Sequence, residues 1–197
     1  GYKLGEGREN KREQAEYYLS VADKNKDSYL FRQASQLFKD SGQKKKAKLC
    51  MANALKLEGL LKEASEYFSD INQPKEALDC CWNSSDYPAI IKLSDKYTAI
   101  ISNRIEYSAA RYMMSQRSSE ESRDFLQEVT EKIQGDTVLF KHTNWEGIIN
   151  ELLRSFVKLG ESEMPPDIWE KRLDSFKSLS DKIRLDKLDL GFLALYA

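Results

Sequence analysis

Apolar residues recur every three or four positions along the first half of the chain, which is the spacing of one face of an α-helix. This spacing occurs near the start of the chain and again further along, at Ala15, Tyr18, Leu19, Ala22, Ile105, Ala109, Tyr112 and Met113. The strict apolar–polar alternation next to Asn-Gly or Asp-Gly that is typical of β-hairpins is not found. The pattern therefore predicts an all-α chain.

Two consecutive segments, residues 31–50 and 61–80, repeat each other at an offset of 30 residues. The identities are Ala34/Ala64, Ser35/Ser65, Phe38/Phe68, Asp40/Asp70, Gln43/Gln73, Lys45/Lys75, Ala47/Ala77 and Cys50/Cys80. Alanine four positions before phenylalanine places a small and a large residue on one helical face, so that a neighbouring helix can approach closely. Each segment is therefore predicted to form a helix, a tight turn and a second helix.

The residues between the predicted helices favour turns. Gly42 and Asn72 follow the aromatic residue at the same distance, and both residue types tolerate the left-handed conformation that ends a helix. Pro74 suits the first turn of the next helix, where its missing N–H has no cost. Asp27 is placed to cap one helix, and Pro88 to open another.

The second half of the chain is predicted to be helical without a clear repeat. Ser118 with Glu121, and Thr143 with Glu146, form capping boxes ahead of apolar residues at helical spacing, among them Phe125 and Ile148. Residues 161–166 are the clearest loop candidate. We expect residues 1–116 to form helical repeats and residues 117–197 to form a C-terminal helical bundle that continues or caps them.

The arrangement of Ala34, Phe38, Gly42 and Ala47 resembles the tetratricopeptide-type α-solenoid class. The period of 30 residues is shorter than the family's, which is about 34, and no Leu-Gly pair follows Phe31, so the chain is tetratricopeptide-like. Similar degenerate repeats occur in helical appendages of trafficking proteins and of large superfamily-one helicases. The resemblance implies a right-handed superhelical stack of antiparallel helix pairs. It also implies a non-catalytic scaffold that binds protein segments along a concave surface lined by the first helix of each pair.

If the first helices line that surface, five polar residues point away from the alanine and phenylalanine face and are candidates for binding a partner. They are Arg32, Gln36, Lys39, Lys62 and Glu66. The partner is expected to be a protein, a peptide or a neighbouring domain of the same full-length chain. Because the sequence begins with Gly1 rather than methionine, we expect it to belong to a larger multidomain protein.

Charge supports an alternative, an accessory nucleic-acid-binding domain of a helicase-type or other nucleic-acid enzyme. The formal net charge is -1, but residues 1–48 contain 12 Lys/Arg and 7 Asp/Glu, so the first quarter of the chain is basic. Lys44, Lys45, Lys46 and Lys48 form a compact basic run that would give salt-sensitive contacts to phosphates. The same run is also explained by a solvated helix face, and no known nucleic-acid motif accompanies it.

Little in the sequence indicates catalysis, so we expect no enzyme activity, no cofactor and no metal. Nucleotide-binding and zinc-protease motifs are missing, and His142, the only histidine, is expected in a loop. Cys50, Cys80 and Cys81 lack the spacing of a zinc site and are expected to be buried, reduced thiols. No apolar run approaches the length of a membrane span, about 20 residues. With no secretion signal, we expect an intracellular protein of the cytoplasm or nucleus.

Overall fold

The computed structural model describes residues 2–115, with side chains from residue 7 onward, and residues 124, 125, 128 and 148. Its helices are α1 (Tyr2–Asn25), α2 (Ser28–Asp40), α3 (Lys44–Leu57), α4 (Leu61–Asp70), α5 (Pro74–Asn83), α6 (Tyr87–Lys96), α7 (Thr98–Ile101) and α8 (Ile105–Met114). No strand occurs in this part of the chain, so the all-α prediction is confirmed over the described residues. None of these helices combines the length and the apolar character that crossing a bilayer requires.

Packing divides the chain into two compact units, Gly1–Ser102 and Asn103–Ala197. The first unit contains α1 to α7, and α8 belongs to the second. The expected division into residues 1–116 and 117–197 stays a prediction. The capping boxes at Ser118 and Thr143, the loop at 161–166 and His142 all lie outside the described residues.

Each of the first five helices ends in the same kind of turn. Five residues take a left-handed conformation two positions before the next helix begins: Lys26, Gly42, Gly59, Asn72 and Ser85. In the predicted turns, φ is 84° at Gly42 and 60° at Asn72. The next amide then donates to the carbonyl five residues back, Gln43 to Phe38 at 2.7 Å and Gln73 to Phe68 at 2.9 Å. This is the Schellman motif, which satisfies carbonyls at the helix end, and the predicted turn residues are confirmed.

The starts of the helices follow the sequence signals as well. The carboxylate of Asp27 accepts a hydrogen bond from the amide of Leu30 at 3.2 Å and so caps α2. Asp86 does the same for the amide of Ala89 at the start of α6. Pro74 and Pro88 lie in the first turns of α5 and α6, where no hydrogen bond is lost.

The repeated residues occupy equivalent buried positions in the α2–α3 hairpin and the α4–α5 hairpin. The buried pairs are Ala34/Ala64, Phe38/Phe68, Ala47/Ala77 and Cys50/Cys80. Ala15 and Ala22 of α1 belong to the same core cluster as the first hairpin. Consecutive helices pack against each other from α1 through α7. The two hairpins therefore follow one plan and are neighbours in space, α3 against α4.

Ion pairs also join α3 to three other helices. They are Lys46–Glu16 to α1, Lys48–Asp70 to α4 at 2.7 Å, and Lys56–Asp79 to α5 at 2.7 Å. All six side chains are partly exposed. Because water and salt screen such pairs, the buried apolar residues supply most of the stability of this unit.

In the second unit, α8 buries one face and exposes the other. Ile105, Ala109 and Tyr112 are buried, as their spacing predicts, and the ring of Tyr112 stacks on that of Phe125 with centroids 4.9 Å apart. The guanidinium of Arg104 pairs with Glu106 in the first turn at 3.1 Å. Phe125 and Ile148, the described residues of the predicted C-terminal bundle that carry its apolar pattern, are helical and buried.

Candidate interaction groove between α4 and α6

A groove of about 480 Å³ lies between α4 and α6 within the first unit. It is called the α4–α6 groove below. Helix α4 contributes Lys62, Ser65, Glu66, Ser69 and Asp70 to its lining, and α6 contributes Ala89, Lys92, Leu93 and Lys96. Cys81 at the end of α5 and Asp86 in the turn after it complete the lining. The groove therefore lies between the first helices of two consecutive helical units.

Helical spacing explains why these side chains share one wall. On α4, Lys62, Glu66 and Asp70 are four residues apart and exposed, so they fall on one face of the helix. Ala64 and Phe68 are buried on another face, in the core. One helix is thus anchored by its apolar residues and presents a charged stripe to the groove.

The two helices that form the walls run in the same direction. At their N-terminal ends, the ammonium of Lys62 lies 3.6 Å from the carboxylate of Asp86. At their C-terminal ends, the ammonium of Lys96 donates to the carbonyl of Ser69 at 3.0 Å and to its hydroxyl at 3.1 Å. The hydroxyl of Tyr97 donates to the same carbonyl at 2.7 Å. These contacts fix α6 against α4 at both ends of the groove.

The walls carry opposite charges over most of their length. Glu66 and Asp70 line the α4 side, while Lys92 and Lys96 line the α6 side. Lys48 of α3 forms a hydrogen bond with Asp70 at 2.7 Å and holds the pKa of that carboxyl below its usual range. Within the described part of the chain, Glu66 and Lys92 have no ion-pair or hydrogen-bond partner, so both charges face the groove unpaired.

Of the five candidate partner-binding residues, the structure brings two into the groove, Lys62 and Glu66. Arg32 binds Glu58 through two nitrogens, at 2.8 and 2.5 Å, and is already engaged within its own hairpin. The amide of Gln36 donates to Asp40 one turn further along α2 at 2.8 Å. Lys39 is exposed. These three residues of α2 do not line the α4–α6 groove.

The basic run at the start of α3 lies outside the groove and is divided between two roles. Lys44 and Lys45 are exposed. Lys46 pairs with Glu16 and lies 5.3 Å from the ring centroid of Phe38, and Lys48 pairs with Asp70. Two of the four candidate phosphate contacts are therefore engaged with the chain's own acidic and aromatic groups.

Sequence reasoning missed the α6 wall, although a signal for it was present. Extending the 30-residue offset by one more step leads from Lys62 to Lys92 and from Glu66 to Lys96. The identities fade after residue 80, so the repeat does not predict this wall. What the offset cannot give is the level of each residue along the groove, because α4 and α6 begin 26 residues apart, at Leu61 and Tyr87.

The cysteines add no reactive group to this site. All three are free and buried, as predicted. Burial raises the pKa of Cys50 to about 12 and that of Cys80 to about 11, and it also raises the pKa of Cys81. Because the thiolate is the nucleophile, such thiols are unreactive at neutral pH. No group of His, Cys, Asp or Glu in the described part of the chain is arranged to hold a metal ion.

Comparison with known proteins finds no match: no family profile, no curated protein and no solved structure matches this chain.

Proposed function

We propose that this chain is a non-catalytic protein-interaction domain that binds a peptide segment in the α4–α6 groove. Its hairpins are proposed to form a tetratricopeptide-like α-solenoid, a right-handed stack in which the first helix of each pair lines the binding surface. The observation that supports this best is the groove itself, which lies between two successive first helices, α4 and α6, and holds Lys62 and Glu66.

The shape and lining of the groove favour a peptide over a small molecule. Its volume of about 480 Å³ falls within the range of ligand sites. Such sites are mostly apolar, whereas six of the eleven lining residues here are charged. Helix-pair stacks generally present extended surfaces of this kind, and these suit a chain segment with its own backbone and side-chain polar groups.

The chemistry of the groove supports binding without catalysis. Its two serines are engaged with backbone or lysine, since the hydroxyl of Ser65 donates to the carbonyl of Lys62 at 2.7 Å and Ser69 accepts from Lys96. The groove's cysteine, Cys81, has a raised pKa. A nucleophile paired with a base, the usual sign of covalent catalysis, is not found among the groove residues.

The basic run gives weaker support to the nucleic-acid alternative. Retention of DNA by several lysines requires ammonium groups that are free to replace counterions. Lys46 and Lys48 already contact acidic groups of the chain, which leaves Lys44 and Lys45. The proposed function therefore rests on the groove and not on the basic run.

Peptide selection against the full 197-residue chain tests the proposed function. A random peptide library is displayed and selected on the wild type, on Ala89→Trp and on Ala99→Trp. Ala89 lines the groove, so the indole is expected to fill it, whereas Ala99 is exposed on α7 and does not line it. Circular dichroism shows whether both variants keep the helical content of the wild type.

We expect the wild type and Ala99→Trp to enrich the same peptides and Ala89→Trp to lose them. Enrichment that is equal on all three proteins, or that never occurs, would show that the groove is not a peptide site. Retention of DNA or RNA by the wild type would favour the nucleic-acid alternative if it falls steeply with salt and disappears in Lys44→Glu/Lys45→Glu.

A further inference from the structure

The charges on the two groove walls are matched level by level. The helices α4 and α6 begin 26 residues apart, and the contacts at their two ends join Lys62 to Asp86 and Ser69 to Lys96, so residues about 26 apart lie at about the same height along the groove. Glu66 is therefore level with Lys92, and Asp70 with Lys96. Each of these two levels has an acidic group on α4 and a basic group on α6, whereas the N-terminal end of the groove has the reverse arrangement, Lys62 on α4 and Asp86 at the start of α6.

These opposite charges form no ion pair with each other across the groove. Glu66 and Lys92 have no partner in the described part of the chain, whereas Asp70 is paired with Lys48 and the ammonium of Lys96 reaches α4, where it donates to Ser69. All four side chains remain exposed. Small residues line the groove between them, including Ser65 and Ala89. The groove thus offers one level with unpaired opposite charges, Glu66 and Lys92, and one level at which a peptide competes with Lys48 for Asp70 and with Ser69 for Lys96.

An extended peptide is the occupant whose geometry fits this arrangement. Its successive side chains point to opposite sides, so odd positions meet one wall and even positions the other. Two residues of extended chain advance about 6.6 Å, and the four residues between levels on a helix advance about 6 Å. Consecutive levels of the groove therefore match alternate residues of the peptide.

We propose that the α4–α6 groove selects an extended peptide in which basic and acidic residues alternate, with basic side chains toward Glu66 and Asp70 and acidic side chains toward Lys92 and Lys96. This inference rests on the proposed function and adds the class of peptide. A purely acidic segment would be attracted by α6 and repelled by α4, and a basic segment the reverse. An amphipathic helix needs an apolar groove, and this lining is largely charged.

Two peptides of identical composition test the order of charges. The probes are capped hexapeptides with the central sequences Lys-Glu-Lys-Glu and Glu-Lys-Lys-Glu, which are too short to form stable helices. In an extended chain, the first peptide places both lysines on one side and both glutamates on the other. The second peptide places one lysine and one glutamate on each side. Binding to the ¹⁵N-labelled full chain is measured by NMR titration at low ionic strength, where screening is weakest.

We expect the alternating peptide to bind the wild type about fivefold more tightly, since four favourable contacts replace two favourable and two unfavourable ones. The shifts should occur at the amides of α4 and α6. Equal affinities for the two peptides, or shifts confined to other helices, would overturn the inference.

A charge exchange at one level provides the sharper test. In Glu66→Lys/Lys92→Glu the first level is inverted and the second is unchanged, so Glu-Lys-Lys-Glu becomes the matching peptide. We expect the preference to reverse, by about the same factor. A matched exchange outside the groove, Glu76→Lys/Lys75→Glu on the exposed face of α5, should leave the wild-type preference intact.

The outcomes separate this inference from the proposed function. If peptide selection depends on the groove but neither protein distinguishes the two probes, the proposed function stands and the charge pattern is wrong. If the preference survives the Glu66/Lys92 exchange, the assignment of the walls is wrong. If Ala89→Trp changes no binding at all, both the proposed function and this inference are wrong.

Discussion

The contact between Arg32 and Glu58 shows how a single residue changes role between sequence and structure. The guanidinium of Arg32 donates through two nitrogens to the two carboxylate oxygens of Glu58, next to the end of α3. Bidentate pairs of this kind are the strongest of the common side-chain ion pairs. Arg32 therefore holds the two ends of its own hairpin together, which its place on a polar helix face does not indicate.

This pair should make stability depend on pH in the acid range. The hydrogen bond and charge of Arg32 lower the pKa of Glu58 from its ordinary value of 4.5. The unfolded chain then binds more protons than the folded one near this pH, so the pair's contribution is present above 4.5 and is lost as pH falls through the lower, folded pKa. We expect Glu58→Gln to be less stable than the wild type at neutral pH and to lose less stability on acidification.

Urea unfolding of both proteins at about pH 6 and about pH 3 measures this difference. Glu13→Gln is the matched control, because Glu13 is an exposed carboxylate of α1 with no partner among the described residues. A Glu58→Gln variant whose unfolding midpoint falls with pH as much as that of Glu13→Gln would show that Arg32 does not bind Glu58 in solution.

At the scale of the element, the turns show how far the sequence predicts the fold. Gly42 and Asn72 were predictable as left-handed residues because glycine and asparagine tolerate that conformation. Lys26 and Ser85 take the same conformation, with φ near 53°, and no property of lysine or serine indicates it. There the conformation accompanies the hydrogen bonds that close the helix end, from the amide of Asp27 to Ala22 at 3.1 Å and from that of Asp86 to Cys81 at 2.9 Å.

The sequence predicts only the α4 wall of the candidate site, because the helices differ in length from one hairpin to the next. The first helices α2, α4 and α6 begin at Ser28, Leu61 and Tyr87, so their spacing shortens from 33 to 26 residues. The cause is that both helices of the second hairpin are shorter, since α2 and α3 have 13 and 14 residues whereas α4 and α5 have 10 each. A fixed offset therefore finds Lys62 and Glu66 on α4 but not the height of Lys92 on α6.

Because the two hairpins follow one plan, equivalent core substitutions should have equal effects. Phe38 and Phe68 are both almost fully buried. Replacing either with leucine removes several buried carbon atoms, and we expect a loss of about 1–2 kcal/mol in each case. Denaturant unfolding measures both, with Tyr29→Leu as the control, since that ring is 64% exposed and should change stability by less than about 0.5 kcal/mol.

A large difference between the two phenylalanine variants would argue against equivalent packing. If Phe68→Leu proved neutral while Phe38→Leu was costly, the second hairpin would not use its aromatic residue as the first does, and the stacking proposed for the solenoid would lose its structural basis.

At the scale of the whole molecule, part of the charge that is segregated along the sequence is paired in space. The basic first quarter of the chain contributes Arg32 and Lys48 to ion pairs with Glu58 and Asp70, which lie beyond it in the sequence. The net charge of a sequence segment is therefore a poor guide to its surface here, because acidic groups from adjacent helices occupy the same region.

Chemical labelling of the three cysteines measures how the first unit unfolds. Since burial raises the pKa of Cys50 to about 12 and of Cys80 to about 11, iodoacetamide at about pH 8 should label them only after local or global unfolding. The α2–α3 hairpin has longer helices than α4–α5 and is covered by α1. In a stack held by neighbour contacts, we therefore expect Cys80 and Cys81 to label before Cys50.

Mass spectrometry of digested samples, taken along a gradient of urea concentrations, separates the peptide containing Cys50 from that containing Cys80 and Cys81. In fully denaturing urea all three should label at similar rates, which provides the reference for converting rates into opening free energies. Labelling of Cys50 at the same opening free energy as Cys80 would mean that the unit unfolds in one step. The hairpins would then be parts of a single cooperative core, and the repeat pattern would describe their ancestry without describing their energetics.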